Sequence, residues 1–281
     1  MYPAVATKDP AAVAREVAAI YAVLFPGGDP DFVPRGFAWV VRCFTGGEPG
    51  YQPIDAQYHD LEHTMQGALC MARLLAGRTA AGATPVLTQR MFELGILAIL
   101  LHDTGYLKRT GDDVGTGAKY TVVHVGRSAA FAADFLGRQG FSPTEISCIQ
   151  SMIYCTGVDA ALDRLPFRDE LERVVGFALG AADLLGQMAA DDYIEKLPVL
   201  YAEFAEAAQS EGARGKSVSL FASAADLRQK TPAFWEKFVR PKLDRDFGGI
   251  QRYLARPYPD GPNEYMDRIE ANIARLRREL A

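Results

Sequence analysis

Residues 94–106 read LGILAILLHDTGY. Eight apolar or glycine residues, Leu94 to Leu101, run straight into His102 and Asp103. A helix that is apolar on every side is a buried helix, because no face is left to meet water. Its end therefore carries a carboxylate into the interior. An ionised carboxylate there costs several kcal/mol unless it is paired or bound to a cation. This stretch predicts a helical core element with a charged centre at its C-terminal end.

Working outward, helical period dominates the chain. Residues 10–25 place Val13, Val17, Ile20, Tyr21 and Leu24 on one stripe. Further helices are predicted at 30–44, 58–77, 87–107, 123–138, 142–157, 168–189, 190–208, 231–255 and 263–280. Ser142-Pro143-Thr144-Glu145 combines a capping box with proline at the first helical position. Thr231-Pro232 and Asn263 are further candidate starts. No alternation typical of a strand is sustained over six residues, and no Asn-Gly hairpin joins β-branched runs. The breaks at 46–53, 110–118, 210–217 and 256–262 are too short and too mixed to separate domains. The expectation is one all-α domain over 1–281, with the stretch after about 210 contributing least to the core.

Composition bounds the function. The chain has 281 residues, 49% hydrophobic and 23% charged, with a net charge of −5. That balance excludes a disordered chain. A mildly acidic surface lacks the basic footprint that bulk nucleic acid requires. A small phosphorylated ligand needs only a locally positive site. No apolar run approaches the roughly 20 residues needed to cross a bilayer, and the first residues lack a signal-peptide pattern. Cys43, Cys70, Cys148 and Cys155 form no C-x-x-C pair, as expected for reduced thiols in a cytoplasmic protein.

The four histidines, His59, His63, His102 and His124, fall within 66 residues. In YHDLEHT (58–64), His59 and His63 are four apart, which on a helix sets them on one face a turn from each other. That spacing suits two metal ligands, or a ligand beside an acid/base group. In GFALGAADLLGQM (176–188), Asp183 lies in a second apolar run with no Lys or Arg within four residues. It needs a distant cationic partner, and a metal shared with His102 and Asp103 would be one.

The ordered set H…HD…D, in apolar context, resembles the HD superfamily of metal-dependent phosphohydrolases, which are all-helical. YHDLEHT is similar to the YHN-x-x-H motif of the cyclic-nucleotide phosphodiesterase branch, HDTGY to a bacterial variant of the doublet, and AADLL to the segment carrying the last aspartate. The resemblance covers residues 58 to about 190, with helices 190–281 completing the pocket. It implies an HD-type helical bundle with additional N- and C-terminal helices. It also implies that His63, His102, Asp103 and Asp183 hold a first divalent ion, that Asp103 bridges to a second, and that His59 is the general acid. His124 matches a histidine that reaches the second metal or the substrate phosphate. The ion would be Zn, Fe, Mn or Mg, one or two per chain. The chain departs from the motif at Asp60, and helix 142–157 offers Tyr154, Cys155 and Thr156 where richer dinuclear sites carry a histidine.

The activity implied is phosphoric ester hydrolysis, on a nucleotide or related ester. The alternatives are an inactive HD domain that senses a nucleotide and a di-iron oxygenase on the same fold. For the phosphate, positive charge is available from Lys108, Arg109, Lys119 and Arg127, and Gln187 follows Asp183 by one turn. The glycine-rich TGDDVGTGAKYT (110–121) suggests a mobile flap over the site. A second copy of the chain is compatible with everything above.

Overall fold

The computed structural model describes residues 2–157, 160–210 and 221–281, and most of the predicted break at 210–217 lies outside them. The described residues form ten α-helices joined by turns and short 3-10 segments, with no strand. The N-terminal pair is α1 (Pro10–Leu24) and α2 (Phe32–Phe44). The centre is built from α3 (Leu61–Ala80), α4 (Gln89–Leu101) and α7 (Glu170–Met188). Around it lie α5 (His124–Arg138), α6 (Pro143–Ile153) and α8 (Tyr193–Gln209). The C-terminal part holds α9 (Ala224–Phe234) and α10 (Glu264–Leu280).

Start signals work as anticipated at several ends. Ser142 and Glu145 form the reciprocal capping box of α6, and Asn263 accepts a hydrogen bond from the Met266 amide to open α10. The apolar α4 is buried from Met91 through Leu101. The helix α3 packs along α7, and at their crossing a side chain on Gly186 would collide with the Gln66 carbonyl at 2.8 Å. That close approach brings Asp183, three residues earlier on α7, beside His63 on α3.

Three expectations differ from the structure. His59 is not on the α3 face. The helix begins at Leu61, with Asp60 as N-cap accepting from the His63 amide at 2.8 Å, so His59 sits in the preceding turn. The residue that departs from the motif thus has a structural use, since an aspartate satisfies an otherwise orphaned amide.

Second, Thr231-Pro232 does not start a helix. Ser223 caps α9, whose interior holds both residues. Pro232 has no N–H to donate, and the winding loosens to π turns at Trp235–Val239 and Lys242–Asp246.

Third, the C-terminal part belongs to the core: Trp235, Leu243, Leu254, Ile269, Ile273 and Leu276 are fully buried. One cluster of buried apolar side chains draws on all ten helices. Asn272 of α10 donates to the carbonyls of Met188 and Ala190, locking the α7–α8 corner. No single helix of the described residues is long and apolar enough to cross a membrane.

Candidate metal centre

Three elements deliver four side chains to one point. His63 comes from the first turn of α3, His102 and Asp103 from the end of α4, and Asp183 from α7. His63 Nε2 lies 3.2 Å from Asp103 Oδ2 and 3.1 Å from Asp183 Oδ1. His102 Nε2 lies 3.2 Å and 3.4 Å from the same two oxygens. Each imidazole nitrogen thus faces both carboxylates. In a shell of metal–ligand bonds of about 2.1 Å, neighbouring donor atoms stand about 3.0–3.4 Å apart, depending on coordination geometry. The observed spacings fit that range. The buried group His63, His102 and Asp103, whose donors lie within 4.8 Å of one another, can hold a metal ion.

The donor chemistry fits as well. His102 Nδ1 donates to the Ile99 carbonyl at 2.7 Å, which turns Nε2 to the centre. A second hydrogen bond on the far nitrogen is the usual way a ligating histidine is oriented. His102 Nε2 and Asp103 Oδ2 are buried with no well-formed hydrogen bond of their own. Buried polar atoms without partners are rare and point to an absent ion or water.

Burial works against an imidazolium at His63, but the negative charges of Asp103 and Asp183 in contact with Nε2 outweigh it and hold the group up at about 9. His102 is raised for the same reasons, against the same burial. Asp103 and Asp183 are lowered: burial opposes their charge, and the two imidazoles overcome it. Without metal, the cluster is two carboxylates balanced by two imidazoliums. A divalent ion would replace the two protons and leave the same net charge.

This predicts opposite pH responses for the two forms. In the chelated protein, the histidine contribution to stability is complete below the unfolded value of about 6.5 and is lost as pH rises through about 9. The carboxylate contribution is present above the unfolded value of about 3.9 and is lost as pH falls from there toward the lowered values of Asp103 and Asp183. The chelated protein should therefore lose melting temperature from pH 7 to 9. With Mn or Zn in excess it should gain relative to the chelated form, because the ion competes with fewer protons. Thermal melts with and without chelator check this, and parallel curves would count against the site.

A second group adjoins the first. His59 Nδ1 donates to Glu203 Oε2 at 2.6 Å, and Glu203 Oε1 accepts from the Tyr58 amide at 2.7 Å. Burial pushes the Glu203 carboxyl up, yet the His59 charge and these hydrogen bonds hold it below the usual range. It is therefore ionised, and His59 Nε2 is left for other chemistry. The Tyr106 ring stacks against both His59 and His124, with centroids at 4.5 and 4.7 Å, and the two imidazoles are 6.1 Å from each other. His124 donates from Nδ1 to the Thr121 carbonyl at 2.6 Å and turns Nε2 toward Asp103 Oδ1, 3.8 Å away. Burial lowers its pKa, which favours the neutral imidazole. The two oxygens of Asp103 thus face different neighbours. Gly105 makes this packing feasible, since a Cβ there would meet the His124 carbonyl at 2.0 Å.

The anticipated phosphate cations are engaged by the protein. Lys108 is buried and bonds Asp55 and the Gly115 carbonyl, both at 2.8 Å. Lys119 bonds Asp112 and the Val114 carbonyl. Arg127 donates to the carbonyls of Gly105 and Leu107 and lies over the Tyr120 ring. Arg109 covers the Tyr51 ring. These cations tie down residues 107–121, as do Glu206 on Thr116 and Asp55 on the Gly117 amide. The segment expected to be a mobile flap is pinned at both halves. Gln187 borders a small cavity beside His63, but its amide is used by the Tyr58 hydroxyl and the Asp183 carbonyl.

Glu203 and Tyr106 escaped the sequence reading. Glu203 had a signal: it falls in the buried series Tyr193, Ile194, Leu197, Glu203 and Ala207 of α8, where an acid is out of place. Of the helices after residue 190, α8 supplies the hydrogen bonds to this region, whereas α9 and α10 pack behind it.

The model of the Npun_R2479-like family matches residues 50–254, a span that includes every residue of this site. No curated protein matches the chain.

Proposed function

The chain belongs to the Npun_R2479-like family, and we propose that it is a metal-dependent phosphoric ester hydrolase of the phosphodiesterase type, acting on a nucleotide or a related small ester. The observation that carries this reading is the convergence of two imidazoles and two carboxylates from three helices, with the His59–Glu203 pair beside them. In this reading His63, His102, Asp103 and Asp183 hold a divalent ion, Zn, Fe, Mn or Mg. Asp103 Oδ1 and His124 Nε2 offer two donors toward a second. Such an ion neutralises phosphoryl oxygens and lowers the pKa of water toward neutrality.

The chain's own groups supply the rest. Glu203 fixes the His59 ring through Nδ1, so that a proton at Nε2 faces outward for the leaving oxygen. The carboxylate also stabilises the imidazolium before transfer. Tyr106 keeps the ring from rotating away. Because Lys108, Lys119 and Arg127 already have protein partners, phosphate charge has to be met largely by the ion and His59. Four buried free thiols fit a reducing compartment, and the reading places the protein in the cytoplasm.

The test is metal analysis of purified protein joined to a panel of phosphodiesters and phosphomonoesters. About one divalent ion or more per chain, with turnover abolished by chelation, is expected. Protein without stoichiometric metal and without turnover would overturn the proposal. Nucleotide binding with no hydrolysis would instead mark a sensor, and iron with an oxygen-dependent product an oxygenase.

A further inference from the structure

A cavity of about 1030 Å³ opens away from the metal centre, between the start of α7, residues 160–167 and residues 245–253. It lies by Arg78, at the far end of α3 from His63. Fifteen residues separate the two, about 22 Å along a helix. The cavity is large enough for a drug-sized ligand.

Its wall combines two features. One is aromatic: the half-buried Phe167 and Phe177 meet with centroids at 6.1 Å, and the buried Phe247 backs Phe177 at 5.7 Å. The other is an arginine pair. Arg78 is 3% exposed, yet it has no ion pair among the described residues, and its hydrogen bond goes to the Pro85 carbonyl at 2.8 Å. Arg252 is exposed, lies over the Tyr253 ring, and donates to the Tyr253 hydroxyl and the Gly248 carbonyl, again with no carboxylate. The two guanidiniums repel one another, which adds to the burial that lowers Arg78.

The acids of the same wall do not resolve this. Asp163 and Asp246 are exposed, Asp169 caps α7, and Glu170 pairs with Arg173. The C-terminal dipole of α3 and the charge of Glu170 offset part of the Arg78 charge, and Arg252 has water but no carboxylate to answer it. A buried cation without a counter-charge is costly, and an anion would remove that cost.

We propose that this cavity is a second ligand site, for a small organic anion whose phosphate or carboxylate head sits between Arg78 and Arg252 and whose apolar body lies on Phe167 and Phe177. It shares no lining residue with the metal centre and stands whether or not the hydrolase reading holds.

Calorimetric titration of the full chain with phenyl phosphate and with benzoate tests the proposal, and the two probes report which head group is preferred. To remove competition from the metal centre, the same titration is run on His63→Ala, which should still bind. In either background Arg252→Gln should weaken binding by about 10–100-fold, the usual worth of a charge-assisted hydrogen bond. Arg252 is exposed, so this variant carries little risk to folding. Arg78→Gln should have the same effect where it folds. No binding of either probe at millimolar concentration, or affinity indifferent to Arg252→Gln, would overturn the site. Binding abolished by His63→Ala would do the same by assigning the anion to the metal centre.

Discussion

Asp103→Ala is expected to leave the protein without stoichiometric metal and without measurable ester hydrolysis. Asp103 is 1% exposed and approaches three of the four histidines: His63 and His102 through Oδ2, and His124 through Oδ1. Its removal deletes a ligand and half of the negative charge that offsets the ion. The remaining cluster cannot compensate, because Asp183 alone would face a divalent charge in a water-poor site. Breaking such a buried network typically costs about 3–5 kcal/mol, so circular dichroism has to accompany the metal assay. Asp183→Asn keeps the shape of its side chain and separates charge from packing. It should also lose metal while retaining the helical signal. Melting temperature in both variants should become indifferent to chelator and to added Mn or Zn. Wild-type metal content in both Asp103→Ala and Asp183→Asn would remove the assignment of this cluster.

The buried cluster of histidines and aspartates is legible in sequence because its members break the rules of their surroundings. Asp103 and Asp183 are charges in apolar helices, and such positions have few explanations. The helix starts at Ser142 and Asn263 were legible because capping is local chemistry. His59 is harder to place because spacing of four implies a shared face only inside a helix, and the helix starts between the two, with Asp60 as its N-cap.

The cations look available in sequence because sequence shows charge and not its partner. Lys108 meets Asp55 across 53 positions, and Arg127 reaches back to Gly105 and Leu107. Glu203 lies 144 residues from His59, and only folding joins them. Residues 231–255 failed for a different reason. Pro232 is an ordinary start signal, but here tertiary packing of Trp235 and Leu243 carries the chain through it.

His59→Ala should keep metal and fold but lose turnover by roughly 10²–10⁴-fold, the range for a general acid. His59 and His63 are neighbours, with ring centroids 5.4 Å apart, yet their surroundings differ. His63 Nε2 points at two carboxylates, whereas His59 has one, held on the opposite nitrogen. His63→Ala should therefore lose metal, and His59→Ala should not. The leaving group separates an acid from a group that only binds. A p-nitrophenolate departs without needing a proton, so the His59→Ala defect should shrink on p-nitrophenyl esters and persist on alkyl or ribose esters. Glu203→Gln should fall between the two. The glutamine amide still hydrogen-bonds the ring but carries no charge, so part of the turnover should survive where His59→Ala loses it. An equal loss on natural and activated esters would show that His59 is not the proton donor. Loss of metal from His59→Ala would make it a ligand, and the Glu203 contact would then serve to orient that ligand, as the Ile99 carbonyl does for His102.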